Sequence, residues 1–176
     1  GAAGFGTPVA LAAPLLAGLG HPPVRAVALA LLGHAAGVSF GAVGTPVAAQ
    51  VEILGLSAGA IAAPTATLHA LACPLLLLAM TRLADERPLT RCDLGWAGAA
   101  ALCFFIPFLL LATLAGPELP TLGGALLGAA AFIALLRLRS PGPAPDFRAL
   151  TPDLAPYIAI LGLVLATRLV SPVQEA

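Results

Sequence analysis

Lysine is absent from these 176 residues, only 9% are charged, and aromatic residues make up 5%. Every basic residue is therefore an arginine, a bias read as genomic base composition rather than mechanism. A soluble domain carries roughly a quarter charged residues, so that class is excluded and the chain must face lipid. The formal net charge is zero, which leaves none of the basic stripes that nucleic acid requires. Cys73, Cys92 and Cys103 show no CxxC or histidine-linked spacing. Neither a disulfide framework nor a metal site follows, no cofactor is implied, and the thiols read as small apolar filler. No G-x-S-x-G elbow is present and no catalytic residue is assigned. With no initiator methionine and no signal peptide, the chain is read as a fragment of a longer polytopic protein. The remainder of that polypeptide and the lipid bilayer are then its expected partners; its oligomeric state is not legible.

What fills the sequence is apolar: 60% hydrophobic residues and a mean hydropathy of +1.02. Residues 58–81, 94–115, 119–136 and 154–170 each approach or reach the ~20 residues that span a hydrocarbon core. Arg82, Arg87 and Arg91 crowd one connection and Arg137, Arg139 and Arg148 another. Gly116-Pro117-Glu118-Leu119-Pro120, between them, has no basic residue. The positive-inside rule places the loops near 82–93 and 137–152 in the cytoplasm and Glu118 outside. The Pro/Gly-rich residues 140–145 then form a cytoplasmic linker, and residues 57–176 form a set of transmembrane helices.

Residues 1–56 read differently. Gly6-Thr7-Pro8-Val9-Ala10 recurs as Gly44-Thr45-Pro46-Val47-Ala48, each copy inside an apolar run. Gly frees the backbone, Thr can cap a helix, and Pro is favoured at the first helical position. Each copy reads as a helix that starts abruptly inside the membrane, with bare N–H groups and a positive dipole end suited to a small anion. The stretch 24–56 is too long for one straight span and holds Gly37, Gly41 and Gly44 in its middle. It is expected to be a broken helix: helical over 24–36, unwound over 37–44, helical again over 46–54. Residues 8–19 make only a half-span, the second arm of a re-entrant hairpin. The two half-helix N-termini can meet near the midplane, and paired interrupted segments of this kind point to the substrate site of a secondary transporter.

The chain resembles the L-lactate permease family of bacterial lactate and glycolate transporters. The likeness rests on Gly1-Ala2-Ala3-Gly4-Phe5-Gly6-Thr7-Pro8-Val9-Ala10 and Val38-Ser39-Phe40-Gly41-Ala42-Val43-Gly44-Thr45-Pro46. Gly116-Pro117-Glu118-Leu119-Pro120 and Ala155-Pro156-Tyr157 follow in the expected order and spacing. The resemblance implies a proton-coupled symporter of small monocarboxylates in the bacterial inner membrane, and kinship with inverted-repeat transporter folds. The expected fold class is thus an all-α polytopic membrane protein: a re-entrant half-hairpin, a broken helix and about four further transmembrane helices. One departure stands out: His34-Ala35 occupies a place where the family usually carries Asn followed by Ser or Thr.

The expected substrate contacts are Gly4, Gly6, Thr7, Ser39, Gly41, Gly44 and Thr45. Thr7 and Thr45 would cap the half-helices while neighbouring N–H groups face a carboxylate; capping alone is the plainer reading. The glycines would let an anion approach the backbone, or serve loop flexibility and helix packing. Ser39 would bond substrate, or its own helix backbone. His34 is the proton-coupling candidate, with a neutral interhelical hydrogen bond as the alternative. His69 lies mid-span with nothing in the sequence tying it to the breaks, so a structural hydrogen bond is expected there. Gly124 and Gly128 give a small-xxx-small face for close helix contact. Two other functions fit less well. A dicarboxylate or gluconate carrier would want a fixed cation, and only Arg25 is near. An intramembrane hydrolase would need Ser39 within hydrogen-bond reach of His34 or His69.

Overall fold

The computed structural model describes residues 7–85 and 87–139, with residues 155, 158–159 and 162–163 as isolated helical positions. Gly1, Gly4, Gly6 and the expected span at 154–170 lie wholly or largely outside the described residues. Those described are all-helical in the order α1 (Thr7–Gly18), α2 (Pro23–Ala35), a 3-10 turn (Val38–Phe40), α3 (Gly41–Leu54), α4 (Ala58–Asp85), α5 (Arg91–Leu114) and α6 (Pro120–Arg139). The last three are each long and apolar enough to cross a membrane. The α2 and α3 segments together pass the same test but are bent by 68° at the break. At ~1.5 Å per residue, the 12 residues of α1 cover little more than half of a ~30 Å hydrocarbon core. The half-length helix, the broken helix and three of the four long spans thus take the expected shape, that of a polytopic membrane protein.

Local chemistry sets the helix ends. Gly55, at φ +63°, closes α3 in the left-handed conformation that glycine adopts without a Cβ penalty. Two residues later Ser57 Oγ accepts the Ala60 N–H at 3.3 Å and opens α4. That helix continues through Asp85, past the expected end at residue 81, so the connection to α5 is short. Thr90 and Asp93 then form a reciprocal capping box that starts α5 earlier than hydropathy suggests. Arg87 donates to both carboxylate oxygens of Asp93, at 2.6 and 2.9 Å. Those bonds, with Asp85 at 3.0 Å, hold the guanidinium protonated beyond its already high range. The helices run unbroken past Pro64, Pro74 and Pro107, as membrane helices can when neighbours satisfy the freed carbonyls.

Large apolar side chains such as Leu68, Leu71, Leu75, Leu102, Ile106 and Leu110 point outward, the orientation a lipid-facing surface requires. Inside, one cluster of small and aromatic residues joins α3, α4 and α5: Val47, Ala62, Ala66, Ala101, Phe105 and Phe108 around Phe40. The tightest pairing is α5 with α6. A Cβ added at Gly128 would sit 2.9 Å from the Cys103 carbonyl oxygen and from Phe104 Cα. Backbone cannot yield as a side chain can, so the small residues at 124 and 128 serve packing within this chain. Gly128→Val is expected to destabilise the fold by about 1–3 kcal/mol. The melting temperature of the full-length parent in detergent, compared with wild type, checks it.

Candidate functional site

The break between α2 and α3 concentrates the unusual chemistry of this chain. After Ala35 the backbone leaves the helix at Gly37, makes one 3-10 turn through Val38–Phe40, and then turns left-handed. Ala42 (φ +48°), Val43 (φ +58°) and Gly44 (φ +80°) carry the reversal. Left-handed backbone costs a residue with a Cβ roughly 1–2 kcal/mol, and a β-branched valine there is a genuine outlier. Such strain persists only where surrounding contacts over-determine it, and it clusters at functional sites.

Those contacts come from three helices. On the α6 side, Thr121 Oγ1 donates to the Phe40 carbonyl at 2.9 Å, and its methyl would lie 2.5 Å from a Cβ at Gly37. A Cβ at Gly44 would collide with the Pro117 carbonyl and sit 3.0 Å from the Glu118 nitrogen. The α5–α6 turn therefore rests its backbone directly on the break. From α5, Phe108 meets the fully buried Phe40 edge-on at 5.2 Å between ring centroids. From α4, His69 Nε2 lies 2.9 Å from Ser39 Oγ. One turn further along α4, Cys73 Sγ approaches the Ala36 carbonyl at 3.7 Å and His69 Nδ1 at 3.5 Å.

Beside the break lies a cavity of about 510 Å³ whose walls come from α1, α2, α4, α5 and α6, within the usual range of small-molecule sites. Gly37, Gly41, His34 and Thr121 contribute to it among mostly apolar neighbours such as Leu16 and Phe105. Among the described residues no arginine lines it. Among the described residues no group of three His, Cys, Asp or Glu could hold a metal ion.

The sequence-derived candidates separate into groups. Gly41 and His34 face the cavity together. Ser39 instead turns to His69, and Gly44 is buried beneath the α5–α6 turn. Thr45 is exposed, and its hydroxyl donates to the Ala42 carbonyl. That direction is opposite to the expected cap, in which the oxygen would accept a helix N–H; the left-handed turn presents a carbonyl where the cap needs a donor. Thr7 opens α1, and Gly4 and Gly6 lie outside the described residues. His69, which nothing in the sequence tied to the breaks and for which a structural hydrogen bond was expected, makes that bond to one of them. Glu118, expected in a plain external loop, neighbours Gly44. No spacing rule links Ser39 to His69. The two prolines flanking Glu118 were the visible sign of a rigid turn able to dock.

Residues 1–148 match the family model described as L-lactate permease. This chain belongs to the L-lactate permease family. Among curated family members, it is 37% identical over 131 residues to a Haemophilus influenzae protein that carries the L-lactate permease designation, covering 73% of this chain and 24% of that protein. It is 32% identical over 143 residues to the L-lactate permease of Streptococcus iniae, covering 80% and 30%. It is 32% identical over 153 residues to the glycolate permease GlcA of Escherichia coli, covering 80% and 25%. The chain thus spans about a quarter to a third of the length of these relatives. No solved structure matches it.

Proposed function

We propose that this chain forms part of the substrate path of a secondary transporter for small 2-hydroxy monocarboxylates such as lactate and glycolate. Transport is coupled to protons across the bacterial inner membrane. Residues 1–56 contribute the substrate-holding unit and the later helices frame it. The carboxylate sits at the helix start that follows Gly44, near the backbone of Gly41 and Thr45, and Gly4, Gly6 and Thr7 are its proposed further contacts. Ser39 shapes the unwound segment. The observation that carries this reading is a strained left-handed turn in the middle of an otherwise membrane-length helix, beside a cavity. The relatives' names point to lactate and glycolate. A single carboxylate is favoured because, among the described residues, no arginine lines the cavity to meet a second one.

The deciding experiment is uptake of labelled lactate into vesicles containing the full-length parent, with and without an imposed pH gradient, and with competing acids. Uptake driven by the gradient and competed by glycolate supports the reading; uptake indifferent to the gradient removes proton coupling. His34 faces the cavity and is the proton-coupling residue in this account. His34→Gln, which keeps a hydrogen-bonding side chain but cannot take a charge, is expected to flatten the pH dependence of uptake. An unchanged profile assigns the proton elsewhere.

The 2.9 Å approach of Ser39 to His69 also satisfies the distance a serine hydrolase needs between nucleophile and base. The third member here is the thiol of Cys73 rather than an orienting carboxylate, and Ser39 is not among the cavity-lining residues. Covalent labelling of Ser39 by a serine-reactive probe would favour the hydrolase instead.

A further inference from the structure

The pair His69 and Cys73 lies one helical turn apart on α4 and touches the break at both ends of its first turn. Nε2 reaches the Ser39 hydroxyl at 2.9 Å. Cys73 Sγ bridges the Ala36 carbonyl and Nδ1, at 3.7 and 3.5 Å. We propose that His69 is the positioning residue that fastens the break, tying Ser39 directly and Ala36 through Cys73 to α4, and so fixing where Gly41 and the following left-handed turn sit.

The proton count supports one arrangement. A neutral imidazole donates from one nitrogen and accepts at the other. With the proton on Nδ1, the Ser39 hydroxyl donates to Nε2, the Nδ1–H donates to the Cys73 sulfur, and the Cys73 S–H donates to the Ala36 carbonyl. All four polar groups are then satisfied. The residues between these anchors cannot supply this themselves: Gly37 and Val38 carry no polar side chain, and a carbonyl left unpaired in an apolar interior is costly. The ring also packs against Phe40 and Phe108, with centroids 6.3 and 6.2 Å away. A packing role and a fastening role therefore make opposite demands on a substitute. Packing asks for an apolar side chain of similar volume. Fastening asks for a donor and an acceptor on one side chain, which glutamine has and leucine lacks.

This deepens the transport reading and rests on it for the uptake measurement alone. The full-length parent is reconstituted in sealed vesicles for uptake and in nanodiscs for hydrogen exchange, as wild type, His69→Gln, His69→Leu, Ser39→Ala and the His69→Leu/Ser39→Ala double variant. Labelled-lactate uptake and backbone hydrogen exchange over residues 36–41 are followed on each. His69→Leu is expected to raise the half-saturating lactate concentration about tenfold, the scale of one lost hydrogen bond, with maximal rate little changed. His69→Gln keeps the wild-type value, and the double variant is no worse than the poorer single one. Exchange over 36–41 accelerates in the leucine variant and not in the glutamine variant. Wild-type behaviour of His69→Leu with failure of His69→Gln overturns the proposal in favour of packing, as does unchanged exchange in both. A wild type without lactate uptake that still shows the exchange difference removes the transport reading and leaves the fastener supported.

Discussion

Gly44→Ala is expected to abolish lactate uptake by the full-length parent, by about a hundredfold or more, while the protein still inserts and folds. Two penalties coincide at this residue. Its φ of +80° is one that an L side chain rarely adopts. The added methyl would also meet the Pro117 carbonyl and the Glu118 nitrogen, backbone atoms that cannot rotate away. Either the left-handed turn unwinds or the α5–α6 turn lifts off, and both displace the helix start that follows. Misplacements of about 1 Å cost on the order of a hundredfold where reacting or binding groups must be held in register. Initial rates of labelled-lactate uptake, normalised to monodisperse protein, check this. A companion variant, Val43→Gly, removes a side chain from the same left-handed turn and is expected to keep uptake, separating loss of geometry from mere alteration of the segment.

The largest stability effect is expected at Phe108. Its side chain is fully buried and touches the rings of Phe40, Phe104, Phe105 and His69. Phe108→Ala deletes the ring on which the break rests, and large-to-small changes at such positions cost about 3–5 kcal/mol. Phe108→Leu, which refills most of the volume, should cost clearly less. Thermal unfolding of the purified parent in detergent measures both. Equal melting temperatures for wild type and Phe108→Ala would mean that the aromatic cluster does not hold α5 to the break.

Composition and motif spacing carried the reading a long way for physical reasons. Low charge with high hydropathy leaves only lipid as a solvent for these helices. Three glycines inside one apolar stretch, followed by Thr45-Pro46, made a helix interruption at 37–44 legible, and α2 and α3 end and resume where expected. Side-chain partners were less legible. Ser39 and His69 are 30 residues apart, and their meeting depends on the rotation of α4 about its axis, which an Ala- and Leu-rich helix with no strong amphipathic stripe does not announce. Gly44 was read as room for a ligand; at the backbone level it is room for Pro117. That follows from the α5–α6 turn docking on the break, whereas loop composition alone places such a turn in water. The left-handed Val43 contradicts local preference altogether, and only the packing around Phe40 and Thr121 accounts for it.

On the proposed reading, the helix starts at Thr7 and Thr45 face one shared substrate position. Thr7→Cys/Thr45→Cys, placed in the full-length parent with Cys92 and Cys103 replaced by serine, tests it by reaction with an ethane-bridged bis-methanethiosulfonate. Efficient intramolecular cross-linking is expected, slowed by lactate and glycolate in a concentration-dependent way. Absence of the cross-link in a variant that still takes up lactate, or cross-linking indifferent to both acids, would contradict it.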